Sequence, residues 1–239
     1  MVARDSTFIR LKRWTIAPVY RSSAAGGQPR AILNAAFDIV SDVAMPAMEA
    51  ECLFVLEEIL AAFPFSGQTW HVLNHSKILD ALLDIFPARQ RIQVSELLVQ
   101  HSRSQRIWSK TSAELLKLPG VTKSMCDTLR AVDTSGEPLS YDLGGLRFSL
   151  TDSNFAVIGD LAKIRTLVLS SVSRLKHVAE EGFDELSEIV TLCHQLGVKN
   201  IKVSPLLASN YDFHKDGAIF ESHILRNGKT RDVIAAGGR

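Results

Sequence analysis

Bulky and small side chains alternate along residues 13–21, and this period of two predicts a β-strand. One face is bulky and is predicted to pack on a core; it carries Trp14, Ile16, Pro18 and Tyr20. The other face is small and ends in the guanidinium of Arg21, which suits the floor of a pocket that holds an anion. A loop rich in small residues (22–30) and an apolar stretch (31–40) follow, so the whole segment predicts a β-hairpin.

Apolar residues return at helical spacing in four later segments, which predict helices over 47–63, 77–86, 155–179 and 183–196. Asn74 or Ser76 is the expected N-cap of the second of these helices. Two strand-like runs in 219–236 flank an Asn-Gly turn and predict a second hairpin. The chain therefore mixes hairpins with amphipathic helices, which is typical of an α+β fold.

The composition is that of a folded soluble protein, with 46% hydrophobic and 22% charged residues in a chain of 239. Cys52, Cys126 and Cys193 lie far apart, so they predict reduced thiols in a cytoplasmic protein and no metal site. No apolar run approaches the roughly 20 residues that a membrane span needs, so no membrane partner is expected.

Residues 88–130 differ from the rest, with eight basic residues against three acidic ones in a chain whose net charge is +1. A basic segment in a near-neutral protein is typical of contact with nucleic-acid phosphates. The candidate residues for contact with nucleic-acid phosphates are Arg89, Arg91, Arg103, Arg106, Lys110, Lys117, Lys123 and Arg130. A solvated helical face is the alternative explanation. Residues 118–121 resemble half of a helix-hairpin-helix turn, although a plain interhelical turn explains them as well.

The first hairpin resembles motif 2 of the class II aminoacyl-tRNA synthetases, in the version found in histidyl-tRNA synthetases. In that family an Arg at the end of the first strand binds the α-phosphate of ATP, and Arg21 stands at this place. Ser23 stands where the family has an acid, and Ala36 where it has a Gln that holds the reactants. The resemblance implies that the chain keeps the hairpin of motif 2 but lacks most of the side chains that bind and orient the reactants.

The segment before the second hairpin resembles the family's histidine-recognition segment. The catalytic Arg of the family falls at Ser209 or Asn210, and its paired tyrosines fall at His214 and Lys215. The positions that the resemblance implies for a degenerate nucleotide and amino-acid pocket are Arg21, Ser23, Ala36, Asn210, His214, Lys215, Gly217, Glu221, Gly237 and Gly238.

The resemblance implies an α+β fold, with the antiparallel sheet of a class II synthetase flanked by helices and a small helical insertion. It divides the chain into a first core part (1–87, with the motif 2 hairpin at 12–40), a helical insertion (88–145) and a second core part (146–239). Both ends are expected to be cut from a longer protein, because a core strand lies close to each of them.

Amino-acid activation needs positioned cations, and losing one transition-state donor costs on the order of 10²–10³ in rate. The missing groups therefore predict that the chain has no catalytic residues and makes no histidyl-adenylate. The pattern resembles the synthetase-like domain of the general-control kinases, which phosphorylate the α subunit of initiation factor 2, in fungal versions above all. That resemblance implies a homodimer that binds uncharged tRNA and controls a linked kinase domain in amino-acid starvation.

Two alternatives stay open, an active histidyl-tRNA synthetase and a regulatory paralogue such as the subunit that activates ATP phosphoribosyltransferase in histidine synthesis. The sequence holds no Gly-rich kinase loop, His-Arg-Asp or Asp-Phe-Gly triplet, so it predicts no kinase activity for this chain. No cofactor is expected, although residual ATP binding beside Arg21 stays open.

Overall fold

The computed structural model describes residues 10–21, 26–64, 69–104, 108–133, 139–143, 146–150, 158–226 and 230–239. The strands are β1 (Arg10–Arg21), β2 (Arg30–Ser41), β3 (Thr69–His75), β4 (Leu139–Leu143), β5 (Leu146–Leu150), β6 (Ile201–Val203), β7 (Ala218–Arg226) and β8 (Thr230–Gly238). The helices are α1 (Pro46–Ala62), α2 (Ser76–Leu83), α3 (Arg91–Ser104), α4 (Trp108–Leu115), α5 (Lys123–Ala131), α6 (Ile158–Ser171) and α7 (Lys176–Leu196).

A four-stranded sheet in the order β6-β3-β7-β8 holds the candidate site. β3 pairs antiparallel with β7 and β7 with β8, which confirms the second predicted hairpin, although its turn at 227–229 lies outside the described residues. β6 runs parallel to β3, so the sheet is mixed rather than fully antiparallel. With helices packed on it, this sheet confirms the predicted α+β class.

The two faces of the sheet have different covers. On one face, His71 of β3 bonds to Glu57 of α1 and His75 to Glu185 of α7, so the helices lie on this side. On the other face, Trp70 is buried with Leu207, which belongs to the segment that follows β6. Successive residues of β3 alternate between these covers because side chains of a strand point to opposite faces.

The helices share one hydrophobic core with the sheet. Leu73 of β3, Leu82 of α2 and Phe183 of α7 are buried in the same cluster as Leu98 of α3 and Leu129 of α5. The helices α3 and α5 therefore bury their apolar sides together with α2, α7 and β3. The division of the chain into three parts stays a prediction.

The predicted boundary between the last two helices is wrong. The helices were expected to meet between 179 and 183, but α6 ends at Ser171, and α7 begins at Lys176 and continues through Gly182. A Cβ on Gly182 would lie 3.1 Å from side-chain atoms of His75, Lys77 and Ile78. The glycine thus permits a close approach of α7 to the start of α2, and it does not mark a helix end.

The first hairpin is confirmed, but the predicted burial of its bulky face is wrong. β1 and β2 form a separate two-stranded sheet. Trp14 is 74% exposed and Tyr20 is 76% exposed. The reason is that the hairpin contacts the rest of the described structure near the start of β1, where Lys12 pairs with Glu51 of α1 at 2.5 Å.

None of the described helices is long and apolar enough to cross a membrane. Within the same part of the chain, no three His, Cys, Asp or Glu side chains converge in a way that could hold a metal ion.

Candidate functional site

The hairpin carries the first part of the predicted pocket on one of its faces. Arg21 is exposed at the end of β1, directly opposite Arg30 of β2. Ala36 lies on the same face, opposite Thr15, and is also exposed. Ser23 lies outside the described residues. The hairpin therefore offers an open, cationic end, and like charges placed directly opposite in a sheet repel each other unless an anion lies between them.

The four-stranded sheet carries the second part of the pocket. Glu221 of β7 is fully buried and shares a row of the sheet with Val72 and Lys202. A Cβ on Gly237 would lie 2.5 Å from the ring of Phe220, and one on Gly238 would lie 2.6 Å from the carbonyl oxygen of Ala218. Both glycines of β8 are therefore required by close packing, whatever their role in binding.

The segment 204–217 closes over the sheet at this place. The amide of Asn74, fully buried in β3, donates 2.9 Å hydrogen bonds to the carbonyl oxygens of Pro205 and Leu207. Asn74 is therefore a strand residue that fixes this segment, and the predicted N-cap of α2 is wrong. The cap is His75, whose Nδ1 accepts from the backbone N–H of Lys77 at 3.2 Å.

Two predicted pocket residues, His214 and Lys215, belong to this segment and contact other parts of the chain. The ring of His214 lies over Gly238, where an added Cβ would be 2.8 Å from it. Burial lowers the pKa of His214 below the ordinary histidine value. The ammonium of Lys215 lies 4.3 Å from the ring centroid of Tyr211, whose hydroxyl bonds to Asp80.

Asn210 begins the turn that presents these side chains. Its φ of 56° is in the left-handed region, which asparagine tolerates better than most residues. Its carbonyl accepts hydrogen bonds from the backbone of Phe213 and His214.

A charged cluster beside Gly217 was not predicted, and we call it the Arg239 clamp. Arg239 Nε donates to Glu49 of α1 at 2.8 Å, and its Nη2 donates to Glu185 of α7 at 2.7 Å. A Cβ on Gly217 would lie 2.6 Å from Arg239 and 2.9 Å from Glu49. The clamp thus ties the end of β8 to two helices, and it fills the space that the glycine leaves. A signal was present in the sequence, namely an arginine directly after the two glycines of an apolar strand.

The electrostatics of the clamp favour a charged Glu185 and a neutral His75. Burial alone would raise the pKa of Glu185, but hydrogen bonds from Lys77 and Arg239 and the nearby His75 outweigh it and lower that pKa. Burial lowers the pKa of His75, although Glu185 opposes the shift. The cluster therefore holds its cations with carboxylates of the chain itself.

A second group of hydrogen-bonded polar side chains is buried on the face of the sheet that the helices cover. Ser222 Oγ lies 2.7 Å from His71 Nδ1, and His71 Nε2 lies 2.8 Å from Glu57. The order of groups resembles a hydrolase triad, but Ser222 and His71 are both fully buried. No substrate reaches the hydroxyl, so the arrangement serves to satisfy buried polar groups.

The predicted tRNA-binding residues divide into exposed cations and paired ones. Arg91 donates to the Asp84 carboxylate at 2.6 Å and is partly buried, and Lys117 pairs with Glu114 at 2.8 Å. The exposed cations outside these ion pairs are Arg89, Lys110, Lys123 and Arg130, and the paired Lys117 is exposed as well. Only the backbone of Arg103 is described, and Arg106 lies outside the described residues. The insertion therefore keeps a cationic surface after its internal ion pairs are removed.

The chain is similar in sequence to two kinds of curated protein. It is 23% identical over 229 residues to the eIF-2-alpha kinase GCN2 of Schizosaccharomyces pombe, covering 95% of this chain and 13% of that protein. It is 25% identical over 235 residues to GCN2 of Arabidopsis thaliana, covering 95% of this chain and 18% of the relative. It is 24% identical over 217 residues to the histidine–tRNA ligase of Caenorhabditis elegans, covering 89% of this chain and 38% of that enzyme. The chain thus spans well under half the length of these relatives, and no family model matches it.

Solved structures of similar fold cover nearly the whole chain. The histidyl-tRNA synthetase of Nostoc sp. PCC 7120 matches with a TM-score of 0.72 and 16% identity, covering 99% of this chain and 49% of that one. A chain of the ATP phosphoribosyl transferase (HisG:HisZ) complex of Thermotoga maritima matches with a TM-score of 0.61 and 14% identity, covering 99% and 72% of the two chains. The resemblance drawn from the sequence and the predicted class II fold are both confirmed.

Proposed function

Since the chain has the fold of a histidyl-tRNA synthetase and resembles GCN2 in sequence, we propose that it is a catalytically degenerate regulatory domain that binds uncharged tRNA. In this proposal it controls an eIF-2-alpha kinase domain linked to it in a longer protein, in response to amino-acid starvation. It acts in the cytoplasm, as a homodimer, without a cofactor.

The observation that carries the proposal is the cationic surface of the insertion. Arg89, Lys110, Lys123 and Arg130 are exposed on the segment that packs against the synthetase-like core. An RNA that neutralised all four would give a salt dependence of roughly 3 log units of affinity per log unit of salt. The basic residues that pair internally, Arg91 and Lys117, are not needed for this contact.

The pocket supports a binding role over amino-acid activation. Arg239 is held by Glu49 and Glu185 and is not available to bind a substrate carboxylate. His214 lies over Gly238, and Lys215 lies over Tyr211, at positions where the related synthetases place tyrosines. Arg21 stays exposed at the end of the hairpin, opposite Arg30, and is open to a nucleotide.

The test is a titration of the chain with deacylated and aminoacylated tRNA at several salt concentrations. We expect salt-dependent binding that prefers deacylated tRNA, and a Lys110→Ala, Arg130→Ala double variant with a salt slope smaller by about 1.4 to 1.8. Lys199→Ala, which removes an exposed lysine of the core part, is the matched control and leaves the slope unchanged.

Two results would contradict the proposal. A folded chain without RNA affinity would leave the regulatory-paralogue explanation, which is tested by capture of a partner enzyme in the absence of RNA. Histidine-dependent exchange of pyrophosphate into ATP would show an active synthetase.

A further inference from the structure

A cleft with a volume of about 630 Å³ lies between α5 and the C-terminal end of α6. Its walls carry Lys123, Ser124, Asp127, Thr128 and Ala131 from α5, and Ser170 and Ser171 from α6. The cleft is shallow and open to solvent, so it suits one part of a larger ligand and not an enclosed small molecule. The cleft is separate from the sheet pocket. It lies between α5, which is predicted to contact RNA, and α6 of the synthetase-like part.

The hydroxyl groups of the cleft are arranged to accept hydrogen bonds. Thr128 Oγ1 donates to the carbonyl one turn earlier in α5, at 2.9 Å. Ser170 Oγ and Ser171 Oγ each donate to the carbonyl of Leu167, at 2.8 Å. Because each hydroxyl hydrogen is used within its own helix, the lone pairs of these oxygens are left for donors of a ligand. The exposed carboxylate of Asp127 adds further acceptors.

One end of the cleft is cationic. Lys123 is exposed in the first turn of α5, where the free backbone N–H groups also carry partial positive charge. A ligand that satisfies the whole cleft must therefore present an anionic group beside groups that donate hydrogen bonds.

We infer that this cleft binds a ribose–phosphate unit of RNA. The phosphate lies at Lys123, and the 2′-hydroxyl of the sugar donates its single hydrogen in a bifurcated bond shared by Asp127 and Ser171. A deoxyribose lacks that donor, so the cleft gives the chain a preference for RNA over DNA. The inference rests on the proposed RNA binding and names the place and the chemical group that are recognised.

The experiment measures fluorescence anisotropy of labelled deacylated tRNA, and of a single-stranded RNA and a DNA oligonucleotide of the same sequence, with the 239-residue chain. Asp127→Asn keeps the shape of the side chain and removes its charge. We expect RNA affinity to fall about fivefold while DNA affinity stays constant or rises, since a hydrogen bond to a charged acceptor is lost only with RNA. Ser171→Ala is expected to act in the same direction, more weakly.

Lys123→Ala tests the phosphate end of the cleft. We expect it to weaken RNA and DNA binding by the same factor and to lower the salt slope by about 0.7 to 0.9, the value for one phosphate contact. Lys199→Ala is again the control, and it is expected to change neither the ratio of RNA affinity to DNA affinity nor the salt slope.

Each other outcome has a definite meaning. If Asp127→Asn strengthens RNA and DNA binding equally, Asp127 only repels the backbone and the inference is wrong. If an arginine-rich peptide binds more tightly than RNA and loses affinity in Asp127→Asn, the cleft belongs to a basic peptide and the inference is also wrong. If tRNA binds but none of the cleft variants changes its binding, the inference fails and the proposed function stands. If no nucleic acid binds at all, both fail.

Discussion

Replacing Gly217 by alanine is expected to open the Arg239 clamp. The added Cβ would lie 2.6 Å from Arg239 and 2.9 Å from the carboxylate of Glu49, which is closer than real Cβ atoms come to their neighbours. Gly217 is buried, so the new methyl group has no way out to solvent. Arg239 must move, and the 2.8 Å bond to Glu49 and the 2.7 Å bond to Glu185 are broken or lengthened.

The loss in the free energy of unfolding depends on which hydrogen-bond donors each carboxylate retains after Arg239 has moved. Glu185 retains Lys77 at 2.9 Å, so it loses little. Glu49 is 5% exposed, and without Arg239 it retains the backbone N–H of Ala218 at 3.2 Å. Leaving one partner of a buried ion pair alone costs about 3–5 kcal/mol, and overpacking costs about 1–3 kcal/mol. Since the side chain of Arg239 is 28% exposed, we expect a loss of about 3 kcal/mol in the free energy of unfolding.

A double-mutant cycle in urea unfolding tests this reasoning. Arg239→Gly removes the clamp and also the Cβ that the new methyl group would strike. If Gly217→Ala acts through Arg239, the double variant loses about 3–4 kcal/mol and not the roughly 6 kcal/mol of an additive pair. Gly197→Ala is the control, because Gly197 has a φ of 82° and open space around it. Its cost of about 1 kcal/mol comes from backbone strain and should add to that of Arg239→Gly. Additivity of Gly217→Ala with Arg239→Gly within about 0.5 kcal/mol would refute the clamp as the cause.

Four further predictions concern other groups. Burial lowers the pKa of His75 below its unfolded value of 6.5, so the stabilising contribution of the neutral ring is expected to be full above pH 6.5 and to be lost as the pH falls through the lowered pKa. The variant His75→Asn keeps a side chain that can cap α2. In this variant the midpoint of urea unfolding should depend less on pH over the same range. Glu185, whose pKa is lowered from 4.5, should add a second loss below pH 4.5 that remains in that variant. Asn74→Leu leaves two buried carbonyls without donors, so a loss of about 2–4 kcal/mol and faster proteolysis within 204–217 are expected, and unchanged proteolysis would contradict this role. Burial raises the pKa of Cys193 to about 12, so this thiol should react with a disulfide reagent at pH 8 only after unfolding, and prompt labelling of the native chain would contradict its burial.

Both hairpins could be predicted because their signals are local. The alternation in 13–21 and the Asn-Gly turn between two apolar runs depend on neighbouring residues alone. The same alternation showed which residues share a face with Trp14, but a period of two does not say what covers that face. The exposure of Trp14 depends on the tertiary position of the hairpin, which no local pattern contains.

The Arg239 clamp could not be predicted from local signals because it joins distant parts of the chain. Arg239 and Glu49 are separated by 190 positions, and Gly217 makes room for both. The break between α6 and α7 was misplaced for a related reason. The predicted helices ended and began on either side of Gly182, although this glycine lies inside α7 and lets α7 approach α2.

The core that α3 and α5 share with α2 and α7 has a consequence for the way a signal would travel. Because Leu98 and Leu129 are buried in the same cluster as Leu82 and Phe183, α3 and α5 cannot unfold without exposing core side chains of α2 and α7. Their melting is coupled to that of the sheet, and calorimetry should show one heat-absorption peak for these elements together. A displacement of α5 would therefore also disturb the packing of α2 and α7.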